Sequence, residues 1–262
     1  MTAAAQPLPV DVRLMNVAAS LLYAAVAVAL VVAAFGWAAR HPLFALSRIV
    51  VEGDVSHNSA ATLRANVAPR LSGNFFTVDL AQARTAFEDI PWVRRAVVRR
   101  EFPNVLRVSL QEHQPVAYWG AEGASTLVNS FGEVFEANVG AVEGDSLPRL
   151  AGPQAQAAQV LATWQAIAPM LQTLDLQLET LTLTGRGSWQ AVLDTGARLE
   201  LGRGRTEEVV QRMEQFVQTL TQAAARYGRR PEALVSADLR HADGYAIRLR
   251  GVSTVSADAQ KK

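Results

Sequence analysis

The chain has 262 residues, with 25 basic residues against 24 acidic ones and a net charge of +1 at pH 7. It has no cysteine, which excludes disulfides, thiolate catalysis and iron–sulfur ligation. Its only lysines, Lys261 and Lys262, end the sequence, so nothing before them supplies a Schiff base or a Walker A phosphate contact. A net charge this small gives no global pull toward nucleic acid.

Residues 1–13 read as a short tail ahead of an apolar run. Residues 14–39 carry no charge. As a helix this run spans about 39 Å at ~1.5 Å per residue, enough to cross a ~30 Å hydrocarbon core with tilt. The competing reading is a cleaved signal peptide, whose apolar region is normally ~7–15 residues and is followed by a small-residue site. Here the run is longer, and Ala27-Val28-Ala29 lies inside it rather than after it. An uncleaved anchor is therefore expected, with Tyr23 and Trp37 near the interfaces. Arg13 on one side and Arg40 and Arg48 on the other set no clear orientation.

Residues 44–113 form a first unit. Residues 48–52 read as a strand. Residues 59–67 read as a short helix, with Ala60, Leu63 and Val67 on one face. Asp79 is placed to cap a helix that runs to Phe87. A hairpin follows over 96–101 and 105–112, where Leu106, Val108 and Leu110 alternate with polar residues at period two.

Residues 114–251 form a second unit. Short strands are expected at 116–119, 126–129 and 133–136, and then a loop leads to Leu150. A helix over 155–174 is expected to be interrupted at Pro169. Strands at 176–184, 189–194 and 198–201 precede an amphipathic helix over 206–227. Its buried side holds Val209, Met213, Phe216, Val217 and Leu220. Strands at 234–239 and 245–249 close the unit around Asp243-Gly244, a hairpin signal. Residues 252–262 show no pattern and read as a flexible tail.

The search for chemistry finds little. His41, His57, His113 and His241 show no metal-ligand spacing. Glu207 and Glu208 sit in the first turn of a helix, where the dipole favours carboxylates without any acid–base role. Ser188 lacks the glycine of a nucleophile elbow two positions later. Gly202-Arg203-Gly204-Arg205 precedes a helix but has no phosphate-loop spacing. Arg94, Arg95, Arg99 and Arg100 read as the solvated face of a hairpin, with lipid headgroup contact as a second option. No enzyme activity, catalytic residue, metal or cofactor is expected.

Several motifs in order resemble the FtsQ/DivIB family of bacterial cell-division proteins. They are Phe44-Ala45-Leu46-Ser47-Arg48-Ile49-Val50-Val51-Glu52-Gly53, Asn74-Phe75-Phe76-Thr77-Val78-Asp79, Ile90-Pro91-Trp92-Val93 and Phe102-Pro103-Asn104-Val105-Leu106. In the second unit they are Leu147-Pro148-Arg149-Leu150, Leu201-Gly202-Arg203-Gly204 and Asp238-Leu239-Arg240. The resemblance implies an α+β protein: one N-terminal transmembrane helix, a POTRA domain of β-α-α-β-β order, and a strand-rich β domain with two helices. It implies a non-enzymatic scaffold of the division septum in the bacterial inner membrane, with the N-terminus cytoplasmic and both domains periplasmic. The implied partners are FtsB and FtsL on the β domain and further division proteins on the POTRA domain. The chain departs from the family at His241, where an aromatic is common, and at Leu249, where tryptophan often stands. An alternative is another POTRA-containing membrane-anchored assembly or secretion accessory.

In the last strand Tyr245, Ile247 and Leu249 alternate with Ala246, Arg248 and Arg250. Such a strand, if it lies at a sheet edge, offers unpaired N–H and C=O groups to a partner strand. The resemblance makes that partner a segment of FtsB. Arg240, His241, Asp243 and Gly244 are expected beside the edge, with Arg203 as a carboxylate-binding fork. The competing reading is a closing core strand with a solvated arginine face.

Overall fold

The computed structural model describes residues 10–38, 41–53, 55–142, 146–241 and 244–252. Its contacts divide the chain into two units, Met1–Glu112 and His113–Lys262. The Asp243 reading lies outside the described residues.

Helix α1, Val10–Ala38, runs for 29 residues. Its segment Asp11–Ala38 is long and apolar enough to cross a membrane, and none of it is buried by protein. Then come β1 (Arg48–Gly53), α2 (Ala60–Val67), α3 (Leu80–Glu88), β2 (Val93–Glu101) and β3 (Val105–Glu112). The caps follow from side-chain chemistry: Ser59 Oγ accepts the Thr62 amide at 3.0 Å, and Asp79 Oδ1 accepts those of Ala81 and Gln82 at 2.8 and 3.1 Å. The sheet has the order β1-β3-β2, with β1 parallel and β2 antiparallel to β3. Period two directs Leu106, Val108 and Leu110 inward against Leu63, Val67, Ala83 and Phe87. Two of the four arginines of β2 are tied to other parts of the unit. Arg94 Nη1 donates to Gln111 Oε1, and Arg100 Nη2 donates to the Val78 carbonyl at 2.7 Å.

The second unit holds β4 (Pro115–Trp119), β5 (Thr126–Asn129), β6 (Val134–Glu136), β7 (Arg149–Ala151), α4 (Ala157–Gln172), β8 (Leu178–Leu183), β9 (Ser188–Leu193), β10 (Arg198–Arg203), α5 (Thr206–Ala225), β11 (Leu234–Asp238) and β12 (Ala246–Leu249). All of its strands join one sheet in the order β12-β11-β10-β9-β8-β7-β4-β5-β6. Helix α5 buries Val209, Met213, Phe216, Leu220 and Ala224, a stripe at three- and four-residue spacing. It packs on β10 and on α4, and α4 packs on β7 and β8. The core between helices and sheet is built on Trp189, Phe216, Ile167, Leu181 and Leu193, each fully or almost fully buried. The class is α+β.

Two expectations fail. The stretch leading to Leu150 contains β7, a three-residue strand running parallel to β4 on one side and β8 on the other. Helix α4 runs through Pro169 without interruption. Pro169 and Gln165 are both exposed, so the carbonyl that loses its helical N–H partner is on the wet side of the helix.

The turn after β5 hangs on one fully buried side chain. Asn129 Nδ2 lies 2.8 Å from His113 Nδ1 and 2.7 Å from Glu133 Oε2, while its Oδ1 accepts the amides of Phe131 and Glu133, both at 2.9 Å. Replacing it leaves buried donors and acceptors unpaired. Asn129→Ala should lower the urea unfolding free energy by roughly 2–3 kcal/mol; a loss indistinguishable from an exposed-site control would contradict this network.

Candidate functional site

Among the described residues strand β12 is the outermost of the nine and pairs only with β11. The register sets which of its backbone groups are free. Arg250 donates its amide to the Ala233 carbonyl at 2.8 Å. Along an antiparallel strand the direction of N–H and C=O alternates. The amides of Arg248 and Ala246 therefore point into the ladder with β11, and those of Ile247 and Leu249 point to the open side. A bulge in β11 between Leu234 and Ser236 accommodates this register. Side chains alternate in the other sense: Leu249 is buried, Tyr245 and Ile247 pack on the core, and Ala246 and Arg248 are exposed.

Tyr245 is fixed to α5. Its hydroxyl lies 2.7 Å from Thr219 Oγ1 and its ring meets Phe216 edge-on at 5.1 Å. The open edge is thus a main-chain surface, held in place by three inward side chains. Any recognition by Tyr245, Ile247 or Leu249 runs chiefly through their backbone.

Where β8 turns into β9 and where β10 and β11 end lies a cleft of about 590 Å³, lined by Thr184, Arg186, Ser188, Gly202, Arg203, Arg212 and Arg240. Four separate segments deliver these arginines: the β8–β9 turn, the end of β10, helix α5 and the segment after β11. The corner at the end of β10 is rigid. Gly202 has φ +80°, a conformation that favours glycine, and a Cβ there would displace the Arg212 guanidinium, whose Nη1 would lie 2.5 Å away. Arg212 of α5 spends its guanidinium on the carbonyls of Leu201, Arg203 and Glu208. Trp189 Nε1 donates to the Gly204 carbonyl at 3.0 Å. Arg212 is thus a strut, while Arg203 is exposed at the cleft's rim.

Arg240 is oriented by Asp238. Arg240 Nε and Nη2 donate to the two carboxylate oxygens at 2.8 and 2.6 Å, and its amide donates to Oδ1 at 3.1 Å. This fork, opposed by partial burial, brings the Asp238 carboxyl down to about 2 and raises the Arg240 guanidinium. A second hollow of about 380 Å³ joins Arg212, Gln215, Thr219, Leu239, His241, Gly244 and Tyr245. The structure therefore gathers Arg203 and Arg240 in one cleft and His241, Gly244 and Tyr245 in the next. The sequence reading missed Arg186, Arg212 and the orienting role of Asp238. Among the described residues no group of three or more His, Asp or Glu side chains is placed to hold a metal.

The comparisons with known proteins agree in both units. A family profile described as "Cell division protein FtsQ/DivIB, C-terminal" matches residues 117–240, and one described as "POTRA domain, FtsQ-type" matches residues 44–113. Proteins named "Cell division protein FtsQ" are similar over most of their length. That of Thiomonas arsenitoxydans is 39% identical over 251 residues, covering 95% of this chain and 91% of its own. That of Burkholderia pseudomallei is 41% identical over 243 residues, covering 92% and 94%. That of Bordetella pertussis is 35% identical over 256 residues, covering 91% and 92%.

The Asp238–Arg240 fork has a pH signature. Because the folded-state carboxyl lies below its unfolded value of ~3.9, the stability it adds is complete above that value and is lost as pH falls toward about 2. Carbon-13 NMR of the Asp238 carboxyl should show a midpoint at about 2. A midpoint at the ordinary carboxylate value would show the fork to be open in solution.

Proposed function

This chain belongs to the FtsQ family of cell-division proteins, and on that premise we propose that it is a non-enzymatic scaffold of the bacterial divisome. Helix α1 anchors it in the inner membrane as a single pass, with the N-terminus cytoplasmic and both folded units periplasmic at the septum. The β domain binds FtsB and FtsL. The POTRA domain, residues 44–113, serves further division partners. The match of residues 117–240 to the family's C-terminal profile weighs against a POTRA-containing secretion or assembly accessory.

One observation carries the reading: the outer side of β12 has no strand partner among the described residues, and Arg240, in the segment that follows its neighbour β11, lines an arginine-rich cleft at the end of the sheet. A strand of FtsB added to β12 pairs its backbone with the outward groups of Tyr245, Ile247 and Leu249, and a carboxylate beside that strand meets Arg203 and Arg240. Arg248 stands on the open face of the sheet, and His241 and Gly244 frame the entry to the edge. In this reading Ser188, Glu207 and Glu208 have no catalytic role.

The register dictates the test. Proline at Arg248 would remove a ladder bond to β11 and confuse folding with binding. Proline at Ile247 removes an amide that faces outward, a position edge strands tolerate. Measured by calorimetry with the periplasmic part of FtsB, Ile247→Pro should abolish binding that Ile247→Ala retains. Arg203→Glu should weaken binding at least ~10-fold while the melting temperature stays close to that of the parent. Parental affinity in both Ile247→Pro and Arg203→Glu, with folding intact, would reject this surface.

A further inference from the structure

The first unit carries an exposed aromatic cluster that neither its own core nor partner binding at β12 explains. Three segments supply it: the stretch just after α1, the loop before α3, and the turn between β2 and β3. Phe44 lies 4.8 Å from Phe76 and 6.4 Å from Phe102, ring centre to ring centre; Phe75 lies 5.2 Å from Phe76 and 5.9 Å from Phe102. The chain of rings continues back to the helix, since His41 meets Phe44 at 6.4 Å and Trp37 at 4.5 Å. Much of this surface is bare: Phe102 is 72% exposed, Leu43 66%, Trp37 65% and Phe76 41%.

The segments that carry these rings are hydrogen-bonded to one another. The Phe75 amide donates to the Phe44 carbonyl at 2.8 Å, and the Ser47 amide donates to the Asn104 carbonyl at 3.1 Å. Asn74 Oδ1 accepts the amides of Phe76 and Thr77 at 2.9 and 3.1 Å, which fixes the loop that carries Phe75 and Phe76. All three segments are therefore tied to the end of the domain where the chain arrives from α1. Arg48, the first residue of β1, is exposed beside them, and its side chain makes no hydrogen bond or ion pair among the described residues.

We propose that this cluster is a membrane-docking surface, seated in the phospholipid interface at the C-terminal end of α1. Continuity argues for the occupant. Phe44 follows the last residue of α1 by only six positions, so the patch lies at the level where the helix leaves the hydrocarbon. Aromatic rings favour that level because their faces contact acyl chains while the layer stays partly polar. A contiguous apolar patch is costly in water and needs no protein partner when lipid is already adjacent. Arg48 at its rim suits headgroup phosphates. The docking would fix the orientation of the first unit against the bilayer instead of leaving it to swing on its tether.

The chain has no cysteine, so single spin labels can be placed without background. The full chain would be reconstituted at one copy per nanodisc of phosphatidylethanolamine and phosphatidylglycerol, with nitroxides at Phe76→Cys and Phe102→Cys. Val26→Cys in α1 serves as the lipid reference and exposed Gln111→Cys in β3 as the aqueous one. Collision with oxygen against collision with a nickel chelate reports depth. Both Phe positions should show severalfold higher oxygen-to-nickel ratios than Gln111, toward the value at Val26, with circular dichroism unchanged. A ratio equal to that at Gln111 at either position, with Val26 lipid-like, would overturn the docking, since no protein partner is present to take its place. The inference rests on the membrane anchor, not on FtsB binding, and an aqueous reading at Val26 would overturn the anchor and the docking together.

Discussion

A β-sheet covered by helices on one face still has to end at its sides, and an end strand leaves every second amide and carbonyl without a partner. In the second unit that constraint falls unequally on the two sides. At one, β6 is only three residues long, and a strand that short offers little to a visitor. At the other, β12 is held in register from within, by buried Leu249 and by Tyr245 bonded to Thr219 of α5. The inward side chains make this strand firm, and the same alternation turns the amides of Ile247 and Leu249 outward. Stability of the edge and its availability come from one pattern of residues.

The charges near the edge divide into those that build and those that wait. Arg212 satisfies carbonyls at the end of β10 and so fixes the corner that carries Arg203. Arg240 is aimed by Asp238. An isolated surface ion pair contributes little to stability, so the Asp238–Arg240 fork matters more for holding a guanidinium in one direction than for holding the fold together. With Arg186 and Arg203 on the same cleft, the surface suits a carboxylate presented by a neighbouring strand.

Much of the architecture was legible in the sequence because it is written in local physics. Asp79 caps its helix where its side chain can reach free amides, and period two assigned Leu106, Val108 and Leu110 to the core. The apolar stripe of α5 was readable for the same reason, although Val217 is only partly buried. What escaped depends on distant parts of the chain. Strand β7 has three residues and exists because β4 and β8 flank it. Pro169 looked like a break because its sequence context does not reveal that the helix turns it toward water. Arg212 reads as an ordinary solvated helix residue, and only the packing of α5 on β10 gives it carbonyls to hold. The cleft draws on four segments, so no spacing in the sequence announces it. The edge position of β12 was inferred from order along the chain, but the direction of each amide required the register.

Hydrogen exchange at single amides tests the central claim most directly, because it reads the edge itself and not the affinity. In the free protein the Ile247 and Leu249 amides should exchange quickly and the Arg248 amide slowly. Adding FtsB until the complex is saturated should slow Ile247 and Leu249 strongly and leave Arg248 as it was. A saturated complex in which Ile247 and Leu249 still exchange at their free rates would contradict strand addition at β12.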